Sequence, residues 1–90
     1  MKLFDVEVII RNKKVARDPE GETVKKELVN RSSYADKVME VRSGKWYLFK
    51  VEAENLEEAL KIVESICKET RMYNPVIHEM EVRPYQGRGA

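Results

Sequence analysis

Asn55-Leu56-Glu57-Glu58-Ala59-Leu60-Lys61-Ile62-Val63-Glu64-Ser65-Ile66-Cys67-Lys68-Glu69-Thr70 is the stretch whose reading decides the fold. Its apolar residues recur at i, i+3 and i+4 from Leu56 through Ala59, Leu60, Val63, Ile66 and Cys67 to Thr70, the signature of one helical face. Asn55 stands where an N-cap acceptor is needed, and Glu58 follows three residues on, as in a capping box. Glu57 and Lys61, then Glu64 and Lys68, are spaced as i,i+4 pairs on the opposite face. A helix this one-sided needs an apolar surface to lie on. The sequence offers one on each side, because both neighbours switch to a period of two.

Upstream, Trp46 to Ala53 alternates: Tyr47, Phe49, Val51 and Ala53 share one face, Trp46 and Leu48 the other. Downstream, Asn74-Pro75 stops the helix. Val76, His78, Met80 and Val82 then alternate with Ile77, Glu79, Glu81 and Arg83, and Pro84 ends that strand. Further back, Lys37 to Arg42 alternates with Met39 and Val41 on one face. Ser43-Gly44-Lys45 carries turn chemistry, so this segment and Trp46–Ala53 are predicted to form a hairpin. Both faces of the pair are apolar near the turn. A lone two-layer domain keeps one face wet, so the second face is expected to be covered by another chain.

Nearer the start, Phe4, Val6, Val8 and Ile10 alternate with Asp5, Glu7 and Ile9, which predicts a half-buried strand with the even positions inward. Arg11 to Arg17 has four bases and no acid and reads as a surface loop. Asp18-Pro19-Glu20-Gly21 reads as a helix start: Asp18 as N-cap, Pro19 at the first helical position, Glu20 and Glu22 at the positive end of the dipole. That helix should run to about Asn30 and be only partly buried, because Val24 and Leu28 make a narrow stripe. The resulting order is β-α-β-β-α-β. The expected fold is α+β: a two-layer sandwich with a four-stranded, mainly antiparallel sheet, two helices on one face, and a sheet-mediated dimer or tetramer. One domain over residues 1–84 and a flexible tail over 85–90 are expected.

The 90 residues leave room for one compact domain with a modest core. Hydrophobic residues make up 42%, too many for a disordered chain. Seventeen bases against sixteen acids give a net charge of +1, which argues against a dedicated nucleic-acid binder. The single cysteine, Cys67, excludes an internal disulfide. No apolar run approaches a membrane span, and charge arrives too early in Met1-Lys2-Leu3-Phe4-Asp5 for a signal peptide. A cytoplasmic protein is expected.

Chemistry is sparse. The only histidine, His78, falls on the inward side of the last strand, and Cys67 on the inner face of the long helix; both are better explained as packing residues. Together they fall short of a catalytic triad or a metal site. Ser43-Gly44-Lys45 has one glycine and precedes a strand rather than a helix, so the phosphate-loop pattern fails. No catalytic, cofactor-binding or metal-ligating residue is therefore expected in this chain. RNA-recognition domains share the β-α-β-β-α-β order, but Gly44-Lys45-Trp46-Tyr47-Leu48-Phe49 matches their aromatic motif poorly. A ligand-binding regulatory module of ferredoxin-like topology is the alternative, with only Gly21 and Gly44 as turn glycines inside the fold.

Three short stretches carry a resemblance: Asp18-Pro19-Glu20-Gly21, Val41-Arg42-Ser43-Gly44-Lys45 and Asn74-Pro75-Val76-Ile77. In this order and spacing, with Val51-Glu52-Ala53-Glu54 leading into a Glu-rich helix, the chain resembles the PurS subunit of phosphoribosylformylglycinamidine (FGAM) synthase. It departs in Lys13-Lys14-Val15-Ala16-Arg17, where that family often has proline and glycine, and in the tail Gln86–Ala90. The resemblance implies a non-catalytic subunit that assembles with a large synthetase (PurL type), a glutaminase (PurQ type) and itself. The complex converts formylglycinamide ribonucleotide, ATP and glutamine to formylglycinamidine ribonucleotide, ADP, phosphate and glutamate in de novo purine synthesis. ATP and magnesium belong to the synthetase, and the small subunit bridges the other two and supports ammonia transfer. No nucleic acid and no membrane is expected as partner. Trp46, Tyr47 and Leu48 are the expected self-association residues. Arg42, Gly44 and Lys45 of the motif loop, with Arg11, Lys13 and Lys14 of the basic loop, are the expected partner contacts.

Overall fold

A computed structural model describes residues 2–14 and 16–86. Strand β1 (Lys2–Asn12) is followed by helix α1 (Pro19–Glu27), short 3-10 turns at Val29–Arg31 and Ala35–Lys37, strand β2 (Gly44–Ala53), helix α2 (Leu56–Glu69) and strand β3 (His78–Pro84). The sheet has three strands in the order β2-β1-β3, with β1 in the centre and both neighbours antiparallel to it.

The register follows from the alternation. Val6 lies opposite Phe49 and Pro84, Val8 opposite Tyr47 and Val82, and Ile10 opposite Met80. All of these therefore point to one face. That face meets Ala59, Val63 and Cys67 of α2, and together with Val6, Val8, Ile10 and Ala53 they form the buried core. Fully burying a side chain such as Val6 or Val63 stabilises by roughly 1.5–3 kcal/mol. The helix that bears three of these seven core residues is capped as the sequence predicts: Asn55 Oδ1 accepts from the Glu58 N–H at 2.8 Å, and Glu58 reaches back to the Glu54 N–H at 3.0 Å. Its other end closes in a Schellman motif. The Met72 N–H reaches the Cys67 carbonyl at 3.1 Å, and Arg71 takes a left-handed φ of 55° in the place glycine usually fills.

The α+β architecture with an antiparallel sheet holds, but the chain differs from the sequence expectation in three places. First, Lys37 to Arg42 forms no strand with β2. Residues 38–43 carry no regular structure, and the sheet has three strands rather than four. The physical reason lies at Ser43 and Gly44, which do not turn: Gly44 is the first residue of β2, paired with Arg11. Second, only α2 lies on the sheet. Among the described residues α1 packs against no strand, its one neighbouring element being the 3-10 turn that follows it. Its apolar stripe is too narrow to hold it there. Third, Val76 and Ile77 belong to a turn, exposed, ahead of β3. At the other end, Tyr85 continues the ladder by donating its N–H to the Asp5 carbonyl at 3.0 Å. Of the expected tail, 87–90 lie outside the described residues.

Candidate interaction site

Asn12, Gly44 and His78 all sit at one end of the sheet, because Arg11 pairs with Gly44 and Asn12 with His78. The three stretches singled out in the sequence gather there. Asp18, only 2% exposed, joins the first two. Its Oδ1 accepts from the Gly21 N–H at 3.0 Å and the Ser43 hydroxyl at 2.7 Å, and its Oδ2 accepts from the Ser43 N–H at 2.6 Å. The Arg42 guanidinium lies 3.8 Å away. These donors, the Ser43 backbone N–H foremost and the Gly21 N–H next, pull the Asp18 carboxyl down to about 2. Gly21 is needed for a spatial reason: a Cβ there would lie 2.4 Å from the Val41 carbonyl oxygen.

Arg42 then ties down the basic loop, donating to the carbonyls of Asn12 at 3.2 Å and Lys13 at 3.0 Å. That loop reaches the third stretch, because the Lys13 N–H donates to the Ile77 carbonyl at 2.9 Å. The turn itself is built on Asn74. Its side-chain oxygen accepts from the Val76 N–H at 2.9 Å, its carbonyl accepts from the His78 N–H at 2.7 Å, and its own N–H donates to His78 Nδ1 at 2.9 Å. This holds Val76 and Ile77 out as an apolar knob. Between the parts lies a cleft of about 310 Å³ lined by Arg11, Asp18, Glu20, Gly44, Lys45 and His78 among others.

Five of the six expected partner-contact residues, Arg11, Lys13, Arg42, Gly44 and Lys45, are thus tied to or line this one end, and Lys14 adjoins Lys13 in the same loop. Their roles differ. Arg11 is engaged by Glu81 and by Glu79 at 3.5 Å, and Arg42 is spent on backbone carbonyls and Asp18. Lys13, Lys14 and Lys45 make no ion pair among the described residues.

The three residues expected to self-associate are divided by the pleat. Trp46 (51% exposed) and Leu48 (44% exposed) stand on the open face away from α2, while Tyr47 stands on the α2 face opposite Val8. The open face is ordered. The Trp46 indole N–H donates to Glu7 at 2.8 Å, Arg83 reaches Glu7 at 3.1 Å and Glu81 at 3.3 Å, and Lys50 pairs with Asp5 at 3.3 Å. The Tyr85 ring lies 5.8 Å from that of Trp46, tilted 58°.

Sequence reasoning found Asp18 as a cap but missed its bond to Ser43. That link spans 25 residues and leaves no local trace. Elsewhere Cys67 is fully buried, and burial, with Glu64 adding, pushes its thiol up. No group of three or more His, Cys, Asp or Glu side chains among the described residues could hold a metal ion. No described helix is long and apolar enough to cross a membrane.

The comparisons agree with this geometry. The PurS family profile, described as phosphoribosylformylglycinamidine (FGAM) synthase, matches residues 5–86. The PurS subunit of that synthase from Thermotoga maritima is 41% identical over 83 residues, 92% of this chain and 98% of the relative. The corresponding subunit from Methanocaldococcus jannaschii is 36% identical over 81 residues, 90% of this chain and 94% of the relative. A solved structure of PurLQS from Thermotoga maritima includes a chain that superposes with a TM-score of 0.81 at 38% identity, covering 94% of this chain and all of that one. On the profile match over most of its length and the identity to these relatives, the chain belongs to the PurS family, the small subunit of phosphoribosylformylglycinamidine synthase in purine biosynthesis.

Proposed function

We propose that this chain works as a non-catalytic connector in a three-component synthase, holding a PurL-type synthetase and a PurQ-type glutaminase in fixed register. The observation that supports it most is the convergence of the three stretches on one hydrogen-bonded end that presents unpaired lysines and an apolar knob. A relative 38% identical to it occurs in a PurLQS structure. Ammonia released by the glutaminase equilibrates with water unless its path is enclosed, so relative placement of the two partners is itself the service. The synthetase supplies the ATP and magnesium chemistry. This chain brings no cofactor, and it works in the cytoplasm.

The test is reconstitution with and without the chain, using glutamine or ammonium chloride as nitrogen source. Omission is expected to abolish most glutamine-dependent synthesis and to spare ammonia-dependent synthesis. An unchanged glutamine-dependent rate overturns the proposal. Turnover of formylglycinamide ribonucleotide by the isolated chain does so too.

A further inference from the structure

A cleft of about 700 Å³ opens where α2 ends and the Asn74 turn begins. Lys68, Arg71 and His78 line it together with Met72, Tyr73 and Pro75, and no described acid does. Three other clefts mix their charges. Asp18 and Glu20 stand with Arg11 and Lys45 beside Gly44, Glu7 with Arg83 near Tyr85, and Glu57 and Glu58 with Lys61 on α2. A concave surface lined by one sign of charge concentrates ligands of the other sign.

Cations at the end of a helix commonly serve its free carbonyls. Here those carbonyls are already engaged. The Thr70 N–H and hydroxyl reach the Ile66 carbonyl at 2.9 and 2.7 Å, the Met72 N–H reaches that of Cys67 at 3.1 Å, and the Arg71 N–H reaches that of Lys68 at 3.4 Å. The Arg71 guanidinium makes no ion pair among the described residues. Yet its backbone holds a φ of 55°, the one positive φ outside glycine among the described residues. Glycine would sit there with less strain. A strained backbone under an unengaged charge, facing a cleft, points to a task for the side chain. Lys68 stands three residues earlier, its ammonium 3.5 Å from the exposed Glu64. His78 adds a donor of fixed direction. Its Nδ1 accepts from the Asn74 N–H at 2.9 Å, so the ring proton sits on Nε2, which has no acceptor among the described residues.

We propose that this cleft binds a phosphate monoester carried on a flat apolar body, a molecule of nucleoside monophosphate size. The Arg71 fork takes two phosphate oxygens, the His78 Nε2–H takes a third, and Lys68 adds a point charge. A bare phosphate leaves most of the cleft empty, whereas its volume lies within the range of small-molecule sites, about 300–1,000 Å³. Met72 and Tyr73, packed against the core, and Pro75 supply the apolar wall for the body of the ligand. This site is separate from the connector reading and stands whether or not that reading is right.

The test titrates the isotopically labelled full chain with adenosine monophosphate, inorganic phosphate and adenosine, following amide chemical shifts. Arg71→Gly probes the site. Lys26→Gln, which removes the same charge from an exposed position on α1, is the control. The expected result is saturable shifts at residues 71–74 and 78 with a Kd of about 1 mM or tighter for the nucleotide, weaker binding of phosphate and none of adenosine. Arg71→Gly should weaken nucleotide binding at least about tenfold while its urea midpoint rises, a combination that a poorly folded variant does not give. Lys26→Gln should bind as the parent chain does. Absence of saturable shifts, equal weakening in both variants, full binding by Arg71→Gly, or adenosine or phosphate binding as tightly as the nucleotide overturns it.

Discussion

Asp18 holds its charge by offering one carboxylate to three donors on two segments, and this makes it sensitive to acid. Its folded value of about 2 lies below the ordinary 3.8, so the unfolded chain takes up the proton first. Its stabilisation is therefore complete above about pH 4 and fades as the pH falls through about 2. Glu81, held low by its hydrogen bond to Arg11, acts in the same direction. Asp18→Asn is expected to lower stability at neutral pH and to flatten the acid limb of the stability curve, checked by urea midpoints from about pH 2 to about pH 6. Arg71 presents the opposite case. A left-handed φ costs an ordinary residue roughly 1–2 kcal/mol, part of which glycine returns as unfolded-state entropy. Arg71→Gly should therefore stabilise by about 0.5–1 kcal/mol, read from the urea midpoint at an unchanged slope.

At the scale of elements, α1 depends on the segment 41–43 rather than on the sheet. Gly21→Ala pushes a methyl into the Val41 carbonyl, and the clasp must open or shift. A loss of about 1–3 kcal/mol is expected, with chemical shifts or exchange rates changing at Ser43 and little at Val63. The elements themselves were largely legible. Period two in Phe4–Ile10, Tyr47–Ala53 and Met80–Val82, and the apolar stripe from Leu56 to Thr70, each report burial on one face, and burial on one face is what the structure uses. The failures came where pattern does not specify a partner. Met39 and Val41 alternate like a strand, yet residues 38–43 carry no regular structure. Val76 and Ile77 read as strand, but Asn74 bonds to the backbone of both Val76 and Ile77 and makes them a turn.

At the scale of the whole molecule, the described residues carry two surfaces of different character. The open face, with Trp46 and Leu48 among ion pairs, is suited to stacking against a like face. Trp46→Ala is expected to weaken that association by about 2 kcal/mol, roughly thirtyfold, seen as a fall in sedimentation mass at micromolar concentration. An unaltered mass would remove Trp46 from the contact. The residues of the other end were legible one by one as a basic loop, a turn glycine and a cap. Their assembly was not, because the bond from Asp18 to Ser43 and that from Lys13 to Ile77 depend on β1 bringing distant segments to one edge.

That central position of β1 has a consequence for how the polypeptide is made. The first strand to be synthesised is the one that both others need, and the last of its partners, His78–Pro84, is encoded at the far end. At 5–20 residues per second, the nascent β1 waits on the order of ten seconds before its second edge can be closed. During that interval Val6, Val8 and Ile10 have no complete shelter. A ribosome stalled short of the final strand thus leaves an apolar, unpaired β1 for a chaperone to hold.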